Sequence, residues 1–260
     1  MLKNNFFELN TARNCLRVII RCYKIKEIFI PYYICPTVWQ ACRAENCSVK
    51  FYHIDDKFYP IQNFDKNSFI LYPNYFGICS KQVFELAQQY PNLIVDNAHA
   101  LFMKQCGLAS FSSYRKFFEV ADGAKLYMDR EIKLERDTYI YKKLPQTYAE
   151  YVQNELRLNK EIPKLISNCT KNIIDSVNFD VEKHKRLISF QNWHKKLKET
   201  NKLKFELTEY DVPFVYPYLS DKPLEIETFR YWNVLPESFS EYKFYKFLQP
   251  IPLVELPYLK

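Results

Sequence analysis

Glycine is almost missing from this 260-residue chain, with three residues in all. Loops that bring backbone against a phosphate normally rely on it, so any phosphate site here has to be built with little of it. The eight cysteines (15, 22, 35, 42, 47, 79, 106 and 169) form no CxxC pair and no metal-ligand spacing, so no metal site is expected. Cys15, Cys22 and Cys42 fall on apolar positions of expected helices, where a thiol serves as a small hydrophobe. No apolar run reaches 18 residues and no basic-then-apolar leader opens the sequence. A membrane span is therefore not expected. These absences point to a cytoplasmic protein with reduced thiols.

What is present suits a globular protein: 48% hydrophobic and 26% charged residues, and a length that fits one large domain or a large domain with a small appendage. The formal charge is +7. Its densest run, Glu182 to Lys198, is broken by Leu187, Ile188, Phe190 and Trp193 at helical spacing, which predicts a solvated helix face. Neither nucleic acid nor membrane is expected as a partner. A basic surface would also suit nucleotide-linked substrates.

Short apolar runs alternate with helical patterns through the first half. Residues 12–24 place Leu16, Ile19, Ile20 and Tyr23 on one helical face, and residues 37–46 and 80–90 also read as helices. Residues 28–30, 49–54, 69–72 and 93–95 read as strands. Strands of three to six residues between helices of about ten predict an α/β fold with a mostly parallel central sheet flanked by helices. Residues 146–175 and 180–200 read as two long helices, followed by a short helix near 224–232 and a Pro-rich tail. The expected division is a large α/β domain over residues 1–175 and a small α+β domain over 176–260.

Ligands in such sheets sit beyond the carboxyl ends of the strands, where this chain reads Val95-Asp96-Asn97-Ala98-His99, then Ser110-Phe111-Ser112-Ser113-Tyr114-Arg115-Lys116. An acid, a histidine, hydroxyls and a lysine in that order match the needs of a pyridoxal 5′-phosphate (PLP) pocket. The acid pairs with the ring nitrogen, and the lysine forms a Schiff base and moves protons. Hydroxyls and helix N-terminal amides hold the phosphate.

These segments resemble the PLP-dependent sugar aminotransferases of the DegT/DnrJ type, above all shorter members found in bacterial surface-polysaccharide gene clusters. The similarity runs through Leu9 to Leu16, Ile30 to Thr37, Val49 to Asp55, Tyr75-Phe76-Gly77, Asp96 to His99, Arg115-Lys116 with Asp122-Gly123-Ala124, and Val212-Pro213 with Tyr216-Pro217 and then Trp232. The family's Ser-Gly or Thr-Gly turn is Thr11-Ala12 here, and its paired glycines after the lysine are Gly123-Ala124. The resemblance implies a type I aminotransferase fold and a homodimer with active sites at the subunit interface. It also implies amino transfer, usually from glutamate, to a keto sugar carried on a nucleotide. Lys116 would be the Schiff-base lysine, Asp96 the pyridinium partner and His99 the contact to the ring 3-oxygen. Thr11, Ala12, Arg13 and Ser110 or Ser112 would lie by the phosphate, and Tyr33 or Cys35 near the ring face. Two other readings stay open: different PLP chemistry on a small non-sugar substrate, and a degenerate member that binds a sugar nucleotide or a partner without transfer.

Overall fold

In the computed structural model, residues 5–141, 144–226, 228, 230–232 and 235–255 are described. Seven strands form the central sheet: β1 (Asn5–Leu9), β2 (Glu27–Pro31), β3 (Ser48–Tyr52), β4 (Ile70–Pro73), β5 (Leu93–Asn97), β6 (Ala109–Ser113) and β7 (Ala124–Met128). Their order is β1-β7-β6-β5-β4-β2-β3. The β2–β3, β2–β4, β4–β5 and β5–β6 pairs are parallel, while β7 runs antiparallel to both neighbours, β1 and β6. The expected mostly parallel sheet is present.

Both faces of the sheet are covered, which is why its middle strands read as continuous apolar runs rather than alternating ones. Leu93 and Val95 of β5 enter one core with Tyr72 of β4. Ile94 enters the other with Leu71, as the two-residue period of a strand requires. Helix α1 (Ala12–Cys22) packs on that second side through Leu16, Val18, Ile19 and Ile20. Its N-cap Thr11 accepts the amide of Asn14 at 3.1 Å, satisfying one of the first-turn donors. Helix α2 (Pro36–Ala44) starts with proline, whose missing N–H costs nothing at that position. Helix α3 (Ser80–Gln89) leads into β5.

The long helix expected over 146–175 is instead two. Helix α4 (Tyr148–Leu158) opens on a Thr147/Glu150 capping box, and α5 (Asn168–Asp175) is capped by Ser167. Pro163 disfavours helix for the residue before it, and the connecting segment is used otherwise. Leu165 bridges to Leu9 and to Arg136, while Lys164 accepts the amide of Asn10 at 3.0 Å. Buried Asp122 accepts the amide and hydroxyl of Ser167 and the hydroxyl of Thr170, fixing the start of α5 beneath the sheet.

Helix α6 (Phe179–Leu197) corresponds to the expected 180–200 helix. The basic run along it is not wholly a solvated face, because Arg186 is buried. The short helix expected near 224–232 falls partly on residues outside the described set, and those described there are not helical. A helix, α7, forms at Tyr242–Phe247, before strand β9 (Leu248–Pro252), which pairs antiparallel with β8 (Val215–Leu219). Side chains of this second sheet, Val215, Tyr216, Leu248 and Ile251, join the same core as Tyr72 and Val95. Among the described residues no helix is long and apolar enough to cross a membrane.

Candidate active site

The carboxyl ends of β2, β5 and β6 and the N-terminus of α1 converge on a cavity of about 350 Å³. Seven residues expected at a site line it: Thr11, Ala12, Arg13, Cys35, Asp96, His99 and Lys116. Three others do not. Ser110 and Ser112 are buried elsewhere along β6, while Phe111 and Ser113 line the cavity. Alternation along the strand puts each pair on its own face, so Ser113, not Ser110 or Ser112, is the β6 hydroxyl at the cavity. Tyr33 is wholly buried, its ring 4.7 Å from Trp232 and 5.8 Å from Tyr75. It lies behind the wall, and Cys35 is at the surface of the cavity.

Asp96 sits at the end of β5, 9% exposed, with one oxygen accepting the amide of Ala98 at 2.9 Å. Burial pushes its carboxyl up to about 6, against the opposing pull of the Ala98 N–H and the Lys116 charge. Lys116 ends a 3-10 turn (Tyr114–Lys116) after β6. Burial lowers its ammonium below the usual lysine range; Cys35, Asp96 and Glu155 oppose that shift, and Arg115 adds to it.

Lys116 and His99 are in direct contact, with Nζ 2.7 Å from Nε2. His99 is held well below the ordinary histidine range, first by burial and then by the neighbouring Lys116 charge. A neutral ring with Nε2 free is an acceptor, so Lys116 donates to it. Aromatic rings fix the imidazole: Trp232 stacks on it at 5.6 Å and 10°, and Phe214 at 4.9 Å and 24°. Gly77 holds the histidine's main chain from the other direction. Its φ is +74°, and a Cβ there would lie 2.4 Å from the His99 carbonyl oxygen, so no other residue fits this turn without displacing His99.

The mouth of the cavity is basic. Arg13 presents buried Nε and Nη1 groups with no hydrogen-bond partner among the described residues, next to the first-turn amides of α1. Burial lowers its guanidinium pKa, and the nearby Glu155 and Cys35 oppose this. Arg115 pairs with Glu155 of α4 and lies 5.3 Å over the ring of Tyr151. Ala12 is an ordinary first residue of the helix, so its methyl does not obstruct those amides.

Phe214, Tyr231, Tyr151 and Glu155 also line the cavity and were not anticipated as site residues. They lie about 35 to 115 residues after Lys116, in segments whose local pattern carries no chemical signal. Trp232 was read only as part of the C-terminal similarity.

The sheet order with a single reversed strand, the flanking helices and the lysine at the carboxyl edge define a type I aminotransferase fold. Solved structures share it over nearly the whole chain. A DegT/DnrJ/EryC1/StrS aminotransferase from Brucella abortus is 12% identical over 98% of this chain and 82% of that one, with a TM-score of 0.61. Spr1654 from Streptococcus pneumoniae, described as a sugar aminotransferase and solved in its PMP form, is 12% identical over 95% and 82%, with a TM-score of 0.64. Helicobacter pylori PseC, an aminotransferase in the biosynthesis of pseudoaminic acid, is 13% identical over 95% and 81%, with a TM-score of 0.60. No protein-family model and no curated protein matches the sequence.

Proposed function

We propose that the cavity binds pyridoxal 5′-phosphate and that the protein transfers an amino group to a keto sugar carried on a nucleotide, in bacterial surface polysaccharide biosynthesis. The observation that carries this reading is the convergence of a buried carboxylate, a neutral histidine and a lysine of lowered pKa in one cavity. The residues fit the cofactor. Asp96 is a buried acid that, among the described residues, receives a hydrogen bond from the Ala98 backbone amide alone, so a protonated pyridine nitrogen would complete it. The orphaned Arg13 donors and the N-terminus of α1 suit a phosphate. Ser113 adds a hydroxyl. When bound, the cofactor supplies a carbonyl for amines and an electron sink.

The chain's residues then have distinct tasks. Lys116, whose ammonium form is disfavoured by burial, presents Nζ as nucleophile and as carrier of a proton. His99 Nε2 holds that amine in place in the resting protein, and its ring would contact the 3-oxygen of the bound cofactor. Asp96 would keep the ring nitrogen protonated. Arg13 and Arg115 would favour anionic substrates, and the neighbours from S. pneumoniae and H. pylori are described as a sugar aminotransferase and as an aminotransferase in the biosynthesis of pseudoaminic acid.

The purified protein mixed with PLP is expected to gain an absorbance band near the visible edge, and addition of glutamate is expected to shift it. A band that glutamate leaves untouched would favour the other PLP chemistries. The absence of any band would remove the cofactor from the account.

The same reading includes a homodimer. On α4, Tyr148, Val152 and Leu156 are exposed at four-residue intervals, while Tyr151, Glu155 and Leu158 of the same helix line the cavity. A second copy covering the apolar stripe would stand at the mouth of the site. The Leu156→Glu protein is then expected to sediment as a monomer under conditions where the wild type sediments as a dimer. Division into domains 1–175 and 176–260 and a reducing, cytoplasmic setting for the eight free thiols complete the proposal.

A further inference from the structure

Arg186 is the member of the basic run on α6 that turns inward, and at 1% exposure it is as buried as the core. Buried charges are uncommon and need partners. Its guanidinium lies 4.5 Å over the ring of Phe117. One nitrogen, Nη2, donates to the Phe117 carbonyl at 3.3 Å, and another, Nη1, donates to the Phe214 carbonyl at 3.5 Å. These two residues flank the reactive pair. Phe117 directly follows Lys116, and the Phe214 ring stacks on His99 and lies 5.8 Å from Lys116 Nζ. The Phe117 and Phe214 rings also meet, at 5.3 Å.

We infer that Arg186 is a positioning residue: a planar fork that ties α6 to the two main-chain segments carrying Lys116 and the ring that seats His99. Arginine suits this task because its rigid planar fork presents separate nitrogens to two carbonyls at once, whereas an ammonium offers its donors from one nitrogen on a flexible stem. The largest influences on Lys116 are burial, Cys35, Asp96, Glu155 and Arg115. The contacts of Arg186 are with the main chain beside Lys116 and His99, and through these it sets their geometry.

The functional consequence rests on the cofactor reading above, while the structural one does not, and the experiment separates them. In the cofactor-free protein, hydrogen exchange is followed by mass spectrometry across residues 114–118 and 212–215, with residues 27–31 of the sheet as internal reference. Arg186→Met keeps the apolar stem and removes the donors to the Phe117 and Phe214 carbonyls. Exchange in the two segments is expected to rise about tenfold or more, in line with the loss of hydrogen bonds from a charged group, with the sheet peptides unchanged. Arg186→Lys, which keeps the charge and replaces the planar fork with a single donor nitrogen, is expected to fall between wild type and Arg186→Met, and it serves alone if the methionine variant does not fold. In PLP titrations the same order is expected for affinity, with the pH dependence of the absorbance band unmoved. Unchanged exchange in both segments for a folded variant would overturn the inference, as would loosening of the sheet peptides to the same extent. A wild type that gains no band with PLP would instead sink the cofactor reading and leave the exchange result to decide the role of Arg186.

Discussion

The Asp96→Asn protein without cofactor is expected to be more resistant to urea at pH 8 than the wild type, and far worse at binding PLP. The first effect follows from the carboxyl standing at about 6 in the folded protein, above its unfolded value. Between those two values the native state binds more protons than the unfolded state, so stability falls as pH rises through the window. Above it the full cost of a buried, poorly compensated charge is present, on the order of 2–3 kcal/mol for a shift of about two units. Asparagine keeps an oxygen for the Ala98 amide and removes the charge. The gain should shrink as pH falls below 6 and vanish below about 4, where both side chains are neutral. The second effect has the opposite sign, because the pyridinium nitrogen loses its partner. Truncating one side of a buried charge pair costs about 2–5 kcal/mol, so PLP affinity should drop by about 30-fold or more. Urea titrations across pH, set beside PLP titrations, check both. A variant less stable than wild type at pH 8, or a difference that ignores pH, would contradict the account. The stability given up at Asp96 is what keeps the site ready for a cation.

Replacing Lys116 by alanine is expected to abolish the borohydride-stable adduct with PLP and to lower amino transfer by about 10²–10⁴-fold, the usual worth of a positioned proton carrier. Residual PLP binding through Asp96 and Arg13 should persist. A secondary consequence identifies the contact seen at 2.7 Å. The Lys116 charge is one of the causes that lower the His99 pKa, after burial, so its removal should move the imidazole titration upward while leaving it below that of a free histidine. NMR of the His99 ring across pH measures this directly. An unchanged His99 titration, or a variant that still transfers amino groups at the wild-type rate, would remove Lys116 from its role.

Much of this could be read from the sequence where the physics is local. The strand ending at Val95 and the acid after it were visible because an apolar run followed by a polar residue marks the carboxyl edge of a buried strand. The helices 12–22 and 80–89 were visible through their spacing. The β6 serines were harder. Their place on the sheet was hidden by hydroxyls that resemble a turn, and without the strand's phase the choice fell on Ser110 or Ser112 rather than Ser113. The break between α4 and α5 was marked locally by Pro163, but the use made of the connecting segment, the pairing of Leu165 with Leu9, 156 residues earlier in the chain, lies in no local window. Long-range packing likewise placed Trp232 and Phe214 on His99, and turned Arg186 inward out of a run whose composition reads as solvated. The scarcity of glycine proved less damaging than the sequence implied. All three glycines have positive φ, and one of them, Gly77, is spent where His99 comes close. The first turn of α1 needs none, since its amides are offered by an ordinary helix beginning at Ala12.

The central claim is that Lys116 is the amine that carries the cofactor. Reduction of the PLP-treated wild type with borohydride, followed by proteolysis and mass mapping, tests it most directly. The account predicts one labelled lysine, at position 116. A label on any other residue, or none at all, would contradict it.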